Sequence, residues 1–192
     1  MKMTTKEYVE HYRIRDYESQ RKEYNRDLCT KYPWLIPTNP WSGKRITDCS
    51  GEDGEEGFWP DTPDAHPEYD YGSTELDEMP DGWRIAFGDE MCEEIHRDLV
   101  ENDYVDEFTI LQIKEKYGSL RFYCGCIPVG SKIFDIIHKY EHMSERICVK
   151  CGKPAKYITT GWICPYCEDC VKELKYDKAV PIDGENNDEI KN

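Results

Sequence analysis

The chain has 192 residues, 38% of them hydrophobic, with 14 Tyr, 5 Trp and 10 Cys. That apolar share is below the roughly 45–50% usual for globular chains, but the aromatic content is too high for a disordered one and points to a core built on rings. A net charge of −15 opposes contact with phosphate and makes direct binding to a nucleic-acid duplex unlikely.

The charge is unevenly placed. Residues 1–45 hold ten basic and six acidic side chains, whereas residues 46–83 hold thirteen acidic ones and neither Lys nor Arg. No apolar run approaches the ~20 residues that span a bilayer, and the first twenty residues lack the apolar stretch of a signal peptide. A cytoplasmic protein without membrane contact is expected. In that compartment ten cysteines read as thiols and metal ligands, not as a disulfide framework.

Taken in chain order, Thr4 followed by Glu7 forms a capping-box pattern. Residues 5–30 contain no Pro or Gly, so a long helix is expected there, ending before Pro33. On that helix Tyr17, Tyr24 and Leu28 share a face, with Tyr8 and Tyr12 nearly opposite. Residues 38–83 are punctuated by Pro and Gly and read as loop. Trp41, Phe58, Trp59, Tyr69 and Tyr71 interrupt its polar run, so the expectation is an ordered wrap pinned by rings. The acidic residues lack the spacing of a calcium loop. Met91, Cys92, Ile95 and Leu99 recur at helical intervals and predict a helix over Asp89–Glu101, with His96 on its surface.

The run FTILQIKEKYGSLRFYC alternates apolar and polar positions on both sides of Gly118-Ser119. It predicts a β-hairpin turning at Tyr117-Gly118-Ser119, with Phe108, Ile110, Gln112 and Lys114 on one face and Thr109, Leu111, Ile113 and Glu115 on the other. A further helix follows, burying Ile133, Ile136, Ile137, Tyr140 and Met143. The final PIDGENNDEIKN is polar and expected to fray.

Five cysteines crowd into ICVKCGKPAKYITTGWICPYCEDC, and a tetrahedral metal needs four. Cys148 and Cys151 open either arrangement. Pairing with Cys164 and Cys167 leaves a 12-residue spacer; pairing with Cys167 and Cys170 leaves 15, which suits a four-cysteine zinc ribbon. Gly152 supplies the turn after Cys151 that a metal knuckle needs. The expected ligands of a structural zinc are therefore Cys148, Cys151, Cys167 and Cys170, with Cys164 spare. CPYC matches a glutaredoxin-type tetrapeptide, but too little chain follows it for that fold. Cys124 and Cys126 are too close together for a knuckle.

The segments GWRIAFGDEMCEEI, QIKEKYGSLRFY and SERICVKCGKPAKYITTGWICPYCEDC together resemble a family of bacterial and phage proteins. In that family a K-E-K-[YF]-G-x-L-R-[FY] hairpin is followed by a helix and two CxxC pairs. The resemblance covers roughly residues 30–172. It implies a phage or prophage setting, agrees with a dispensable Cys164, and implies no mechanism.

The sequence thus predicts an α+β fold with a long N-terminal helix, a central hairpin packed with helices, and a C-terminal zinc-ribbon-like subdomain. Its parts are an N-terminal helical segment (1–45), an acidic, ring-bearing loop region (46–83), an α/β core (84–146), the ribbon (147–176) and a polar tail (177–192). The leading functional expectation is a non-enzymatic, zinc-stabilised phage or mobile-element protein whose partner is another protein. An inhibitor of a host nucleic-acid-binding or defence machine is its sharpest form. Glu52, Asp53, Glu55 and Glu56, with Phe58 and Trp59, would form the partner surface. A first alternative is an enzyme or anion binder built on Lys114, Lys116, Tyr117 and Arg121, with Glu115 beside them; the plainer view of those residues is a solvated hairpin with cross-strand pairs. A second is nucleic-acid binding through Lys150, Lys153, Lys156 and Lys172 of the ribbon. No Ser-His-Asp, P-loop or HExxH pattern supports catalysis, and none of the five histidines sits in a ligand pattern.

Overall fold

The structure is a computed structural model that describes residues 2–12, 14–38, 69–175 and 178–182. It is an α+β arrangement of helices with two small antiparallel sheets, one of two strands and one of three.

The capping box forms as the sequence implies: Glu7 N donates to Thr4 Oγ1 and Thr4 N donates to Glu7 Oε2, opening α1 (Thr5–His11). The expected long helix is nevertheless broken. Ile14 is extended, a 3₁₀ turn covers Arg15–Tyr17, and α2 runs Glu18–Lys31. The break has a packing cause. On one straight helix Tyr8 and Tyr24 would stand about 24 Å apart. Folding back stacks their rings at 4.8 Å, places His11 on Tyr17 at 4.0 Å, and buries Tyr8 completely. Ring burial outweighs the helical bonds lost at the corner.

The expected helix over Asp89–Glu101 is present as α4, but helical structure starts earlier. A short α3 (Asp81–Trp83) leads into a π turn over Arg84–Gly88, and α4 continues from it. Trp83, Phe87, Met91, Ile95 and Leu99 are all buried. This row repeats every four residues, so an unbroken α-helix would carry it about 40° round its axis at each step. The wider π turn takes back part of that drift and keeps the row facing one core.

That core also receives Trp34 and Leu35 from a 3₁₀ turn at Pro33–Leu35, Leu76 from another at Glu75–Glu78, and the inner face of the hairpin. Strands β1 (Thr109–Lys116) and β2 (Ser119–Gly125) pair antiparallel, with Lys116 opposite Ser119. Tyr117 (φ 54°) and Gly118 (φ 80°) form the two-residue turn, both in the left-handed region that a type I′ turn requires. The expected facing of β1 needs correction. A bulge between Ile110 and Gln112 lets Ile110 and Ile113 both point inward and leaves Leu111 exposed.

Helix α5 (Ile133–Ser144) covers β2 through Ile133, Ile137 and Tyr140. Its side chains also accept the outward amides of that strand: Leu120 N donates to Ser144 Oγ at 2.8 Å and Phe122 N to Glu141 Oε1 at 3.3 Å. The buried Asp98 carboxylate of α4 accepts from Lys132 N at the start of α5. The C-terminal part holds β3 (Tyr157–Thr159), β4 (Pro165–Tyr166), a short α6 (Glu168–Val171) and β5 (Ala179–Pro181), in sheet order β4-β3-β5. Pro181, the first residue of the segment expected to fray, instead pairs with Tyr157, and Val180 before it pairs with Ile158.

Replacing Gly118 with Val puts a β-branched residue at positive φ, with its Cβ 3.2 Å from Ile163 Cγ2. A loss of at least about 1 kcal/mol in urea unfolding is expected; an unchanged midpoint would contradict the turn geometry.

Candidate metal centre

Two loops bring the ligands together. In the first, Cys148 N donates to Lys153 O at 2.8 Å and Gly152 N donates to Cys148 O at 3.0 Å, with Gly152 at φ 77°. In the second, Cys167 caps α6 and its sulfur accepts from Cys170 N at 3.5 Å. Val149 N donates to Pro165 O at 3.0 Å and ties the loops to each other. The ligand sulfurs of Cys148, Cys151, Cys167 and Cys170 all lie within 4.8 Å of one another and could hold a metal ion. Cys151 and Cys167 approach to 3.5 Å.

Burial raises the Cys167 thiol, but the Cys170 amide and the neighbouring sulfurs outweigh it and bring its pKa down to about 7. At Cys167 the thiolate, the ligating form, is thus accessible near neutral pH, whereas burial raises the Cys151 and Cys170 thiols. Cys164 does not belong to this group. Its backbone exchanges hydrogen bonds with Thr159 in the β3–β4 hairpin, donating to Oγ1 at 2.9 Å and accepting from the amide at 3.1 Å.

The first loop lies directly on the start of the long helical run. Gly82 N donates to Val149 O at 2.9 Å, and the Trp83 indole donates to Ile147 O at 3.0 Å. A Cβ on Gly82 would stand 2.1 Å from Cys148 O, and one on Gly152 would stand 2.7 Å from Gly82 O. The contact is backbone on backbone, and two glycines permit it. A glycine in a stretch that reads as loop signals nothing of this kind, so the sequence does not mark Gly82 as a site residue.

The hairpin candidates separate. Lys114, Lys116 and Arg121 share the face turned from the core, and Tyr117 projects from the tip, 73% exposed. Glu115 is elsewhere: its carboxylate accepts from Gly118 N at 2.7 Å and from the Trp162 indole at 3.0 Å. It links the turn to the ribbon, and no lysine among the described residues pairs with it. Trp162 is a second residue that sequence reasoning missed, because its partner lies 47 positions away.

Four of the five ribbon lysines, the ones expected to form a basic patch, are each matched by a carboxylate within the ribbon. Lys150 pairs with Glu173, Lys153 with Asp169 at 2.9 Å, and Lys156 and Lys172 with Glu168 at 3.6 and 3.3 Å. Glu52, Asp53, Glu55, Glu56, Phe58 and Trp59 lie outside the described residues. The described end of the acidic stretch is tied to the fold. Asp70 pairs with Lys22 at 2.8 Å, Glu75 accepts from Thr38 N at 2.9 Å, and Asp77 pairs with the buried Arg84. The rings of Tyr69 and Tyr71 lie 5.0 Å apart, and the Arg26 guanidinium sits 5.1 Å from the Tyr71 ring. A cavity of about 460 Å³ lies beside Tyr8, Tyr12, Asp77 and Arg84, and Arg84, the cation among its described lining residues, is already paired with Asp77.

Among the described residues, no helix is long and apolar enough to cross a membrane. Comparison of the chain with family models, curated proteins and solved structures finds no match.

Two substitutions check the site. Cys164→Ser should leave metal content unchanged, whereas Cys167→Ser should abolish it and melt the C-terminal region; metal loss with Cys164→Ser would show the pairing to be wrong. Gly82→Ala would ordinarily stabilise a helix by about 0.5–1 kcal/mol. Here a lower melting temperature is expected, and a raised one would rule out the close crossing.

Proposed function

We propose that this chain is a non-enzymatic, zinc-stabilised protein of a phage or mobile element that works in the host cytoplasm by binding another protein. In its sharpest form it inhibits a host nucleic-acid-binding or defence machine through an acidic surface. One observation supports the non-enzymatic part: among the described residues, the candidate metal site gathers four cysteine sulfurs and no other potential ligand. Soft thiolates in a tetrahedral set favour zinc. Zn–S bonds of about 2.3 Å place sulfurs about 3.8 Å apart, close to the spacing present. Four filled positions leave none for an activated water, so the metal supports structure. The ribbon needs that support, since its own buried cluster is Cys148, Cys167 and Cys170 with Cys151 and Tyr166 beside them.

The competing readings are weakened by specific contacts. Glu115 is engaged by Gly118 and Trp162, which removes the acid–base partner that an enzyme built on Lys114, Lys116 and Arg121 would use. Lys150, Lys153, Lys156 and Lys172 have carboxylate partners, which reduces the patch available to nucleic acid.

The acidic surface proposed for the partner is the run from Glu52 to Glu56 with Phe58 and Trp59, where carboxylates imitate phosphate charge and rings supply apolar anchors. Converting Glu52, Asp53, Glu55 and Glu56 to their amides should weaken binding to partners recovered from host extract. It should also flatten the salt dependence of that binding, because exposed pairs are screened over about 8–10 Å near physiological ionic strength. Unchanged affinity and salt dependence would refute the acidic-surface mechanism.

A further inference from the structure

The hairpin face turned from the core carries a charge opposite to that of the chain. Leu111, Gln112, Lys114 and Lys116 of β1 and Arg121 and Tyr123 of β2 make up this face, since the paired Ile113 and Phe122 point inward. Among the described residues no carboxylate belongs to this face, in a chain with 40 acidic and 25 basic residues. Among the described residues the recorded partners of these cations are neutral groups. Lys114 donates to Gln112 Oε1 and lies 5.4 Å from the Tyr123 ring, Lys116 lies 5.5 Å from the Tyr117 ring, and Arg121 donates to Leu120 O. The contrast with the ribbon, where every lysine named above meets a carboxylate, is sharp.

The apolar groups of this face are also uncovered. Leu111 is 67% exposed because the bulge turns it outward, and Tyr123 is 44% exposed. Tyr117 holds a left-handed backbone that Asn or Gly would adopt without strain. Its ring packs into no core, so the fold gives no reason for a tyrosine there.

We propose that this face docks an acidic, extended segment of a partner protein, with two or three carboxylates on Lys114, Lys116 and Arg121 and apolar side chains on Leu111, Tyr117 and Tyr123. Charge complementarity selects the occupant. Three cations match a few carboxylates, whereas a polynucleotide would hold most of its closely spaced phosphates against a protein of net charge −15. The aliphatic Leu111 and the Tyr and Arg residues suit a protein contact. This surface is opposite in charge sign to the acidic run from Glu52 to Glu56.

The test uses the full zinc-loaded chain and fluorescence anisotropy. The probes are a labelled peptide alternating Glu with Leu and Trp, its Gln counterpart, and single-stranded oligo(dT). The acidic peptide should bind in preference to both others. Arg121→Glu, and separately the milder double substitution Lys114→Gln with Lys116→Gln, should weaken it by roughly tenfold or more, while Lys150→Glu on the ribbon leaves it unchanged. Zinc content and circular dichroism confirm that the variants fold. Absent binding, equal binding of the Gln peptide, or binding unmoved by the hairpin substitutions would overturn the proposal. Preferential binding of oligo(dT), lost in the same variants, would overturn it in favour of a nucleic-acid surface. None of these results touches the reading of the acidic run, which is tested on other residues.

Discussion

The crossing of the first metal loop over Gly82 joins the two halves of this protein. Backbone meets backbone there, with Gly82 on one side and Gly152 on the other, and the Val149 carbonyl accepts the Gly82 amide. On one side of the crossing the loop positions Cys148 and Cys151. On the other, Trp83 begins the row of buried residues that organises the main core. A metal that fixes the loop therefore also fixes where the helical run begins, and the ribbon is part of the main fold's support.

A second link closes the same assembly from the far end. Glu115 receives the Gly118 amide within the hairpin and the Trp162 indole from the loop between β3 and β4. The ribbon is thus held against the helical run at its first loop and against the hairpin tip at its middle. This arrangement accounts for the split in the KEK motif. Its glutamate works inward as a connector, while its lysines face outward with Arg121 and Tyr123.

What could be read in the sequence was local in origin. The two CxxC pairs carry their geometry in their spacing, so four cysteines out of ten were separable from Cys164 before any coordinates. The Tyr117-Gly118 turn and the buried sides of α4 and α5 follow from periods of two and near four. What could not be read depends on distant partners. Nothing in residues 5–30 shows that Tyr8 must reach Tyr24, so the helix break was hidden. The bulge at Leu111 reverses a facing that strict alternation predicts. Gly82 looks like one more loop glycine until the knuckle is seen above it. Val180 belongs to a polar tail by composition and becomes a strand only because Ile158 offers an edge.

The central claim is that a closed, all-sulfur metal centre holds the ribbon against the helical run and leaves no position for catalysis. X-ray absorption at the zinc edge on the purified full-length chain tests it most directly. The account predicts four sulfur scatterers at about 2.3 Å and no nitrogen or oxygen in the inner shell. A light-atom ligand at about 2.0–2.2 Å, or three sulfurs with an exchangeable water, would contradict it and reopen the enzymatic reading.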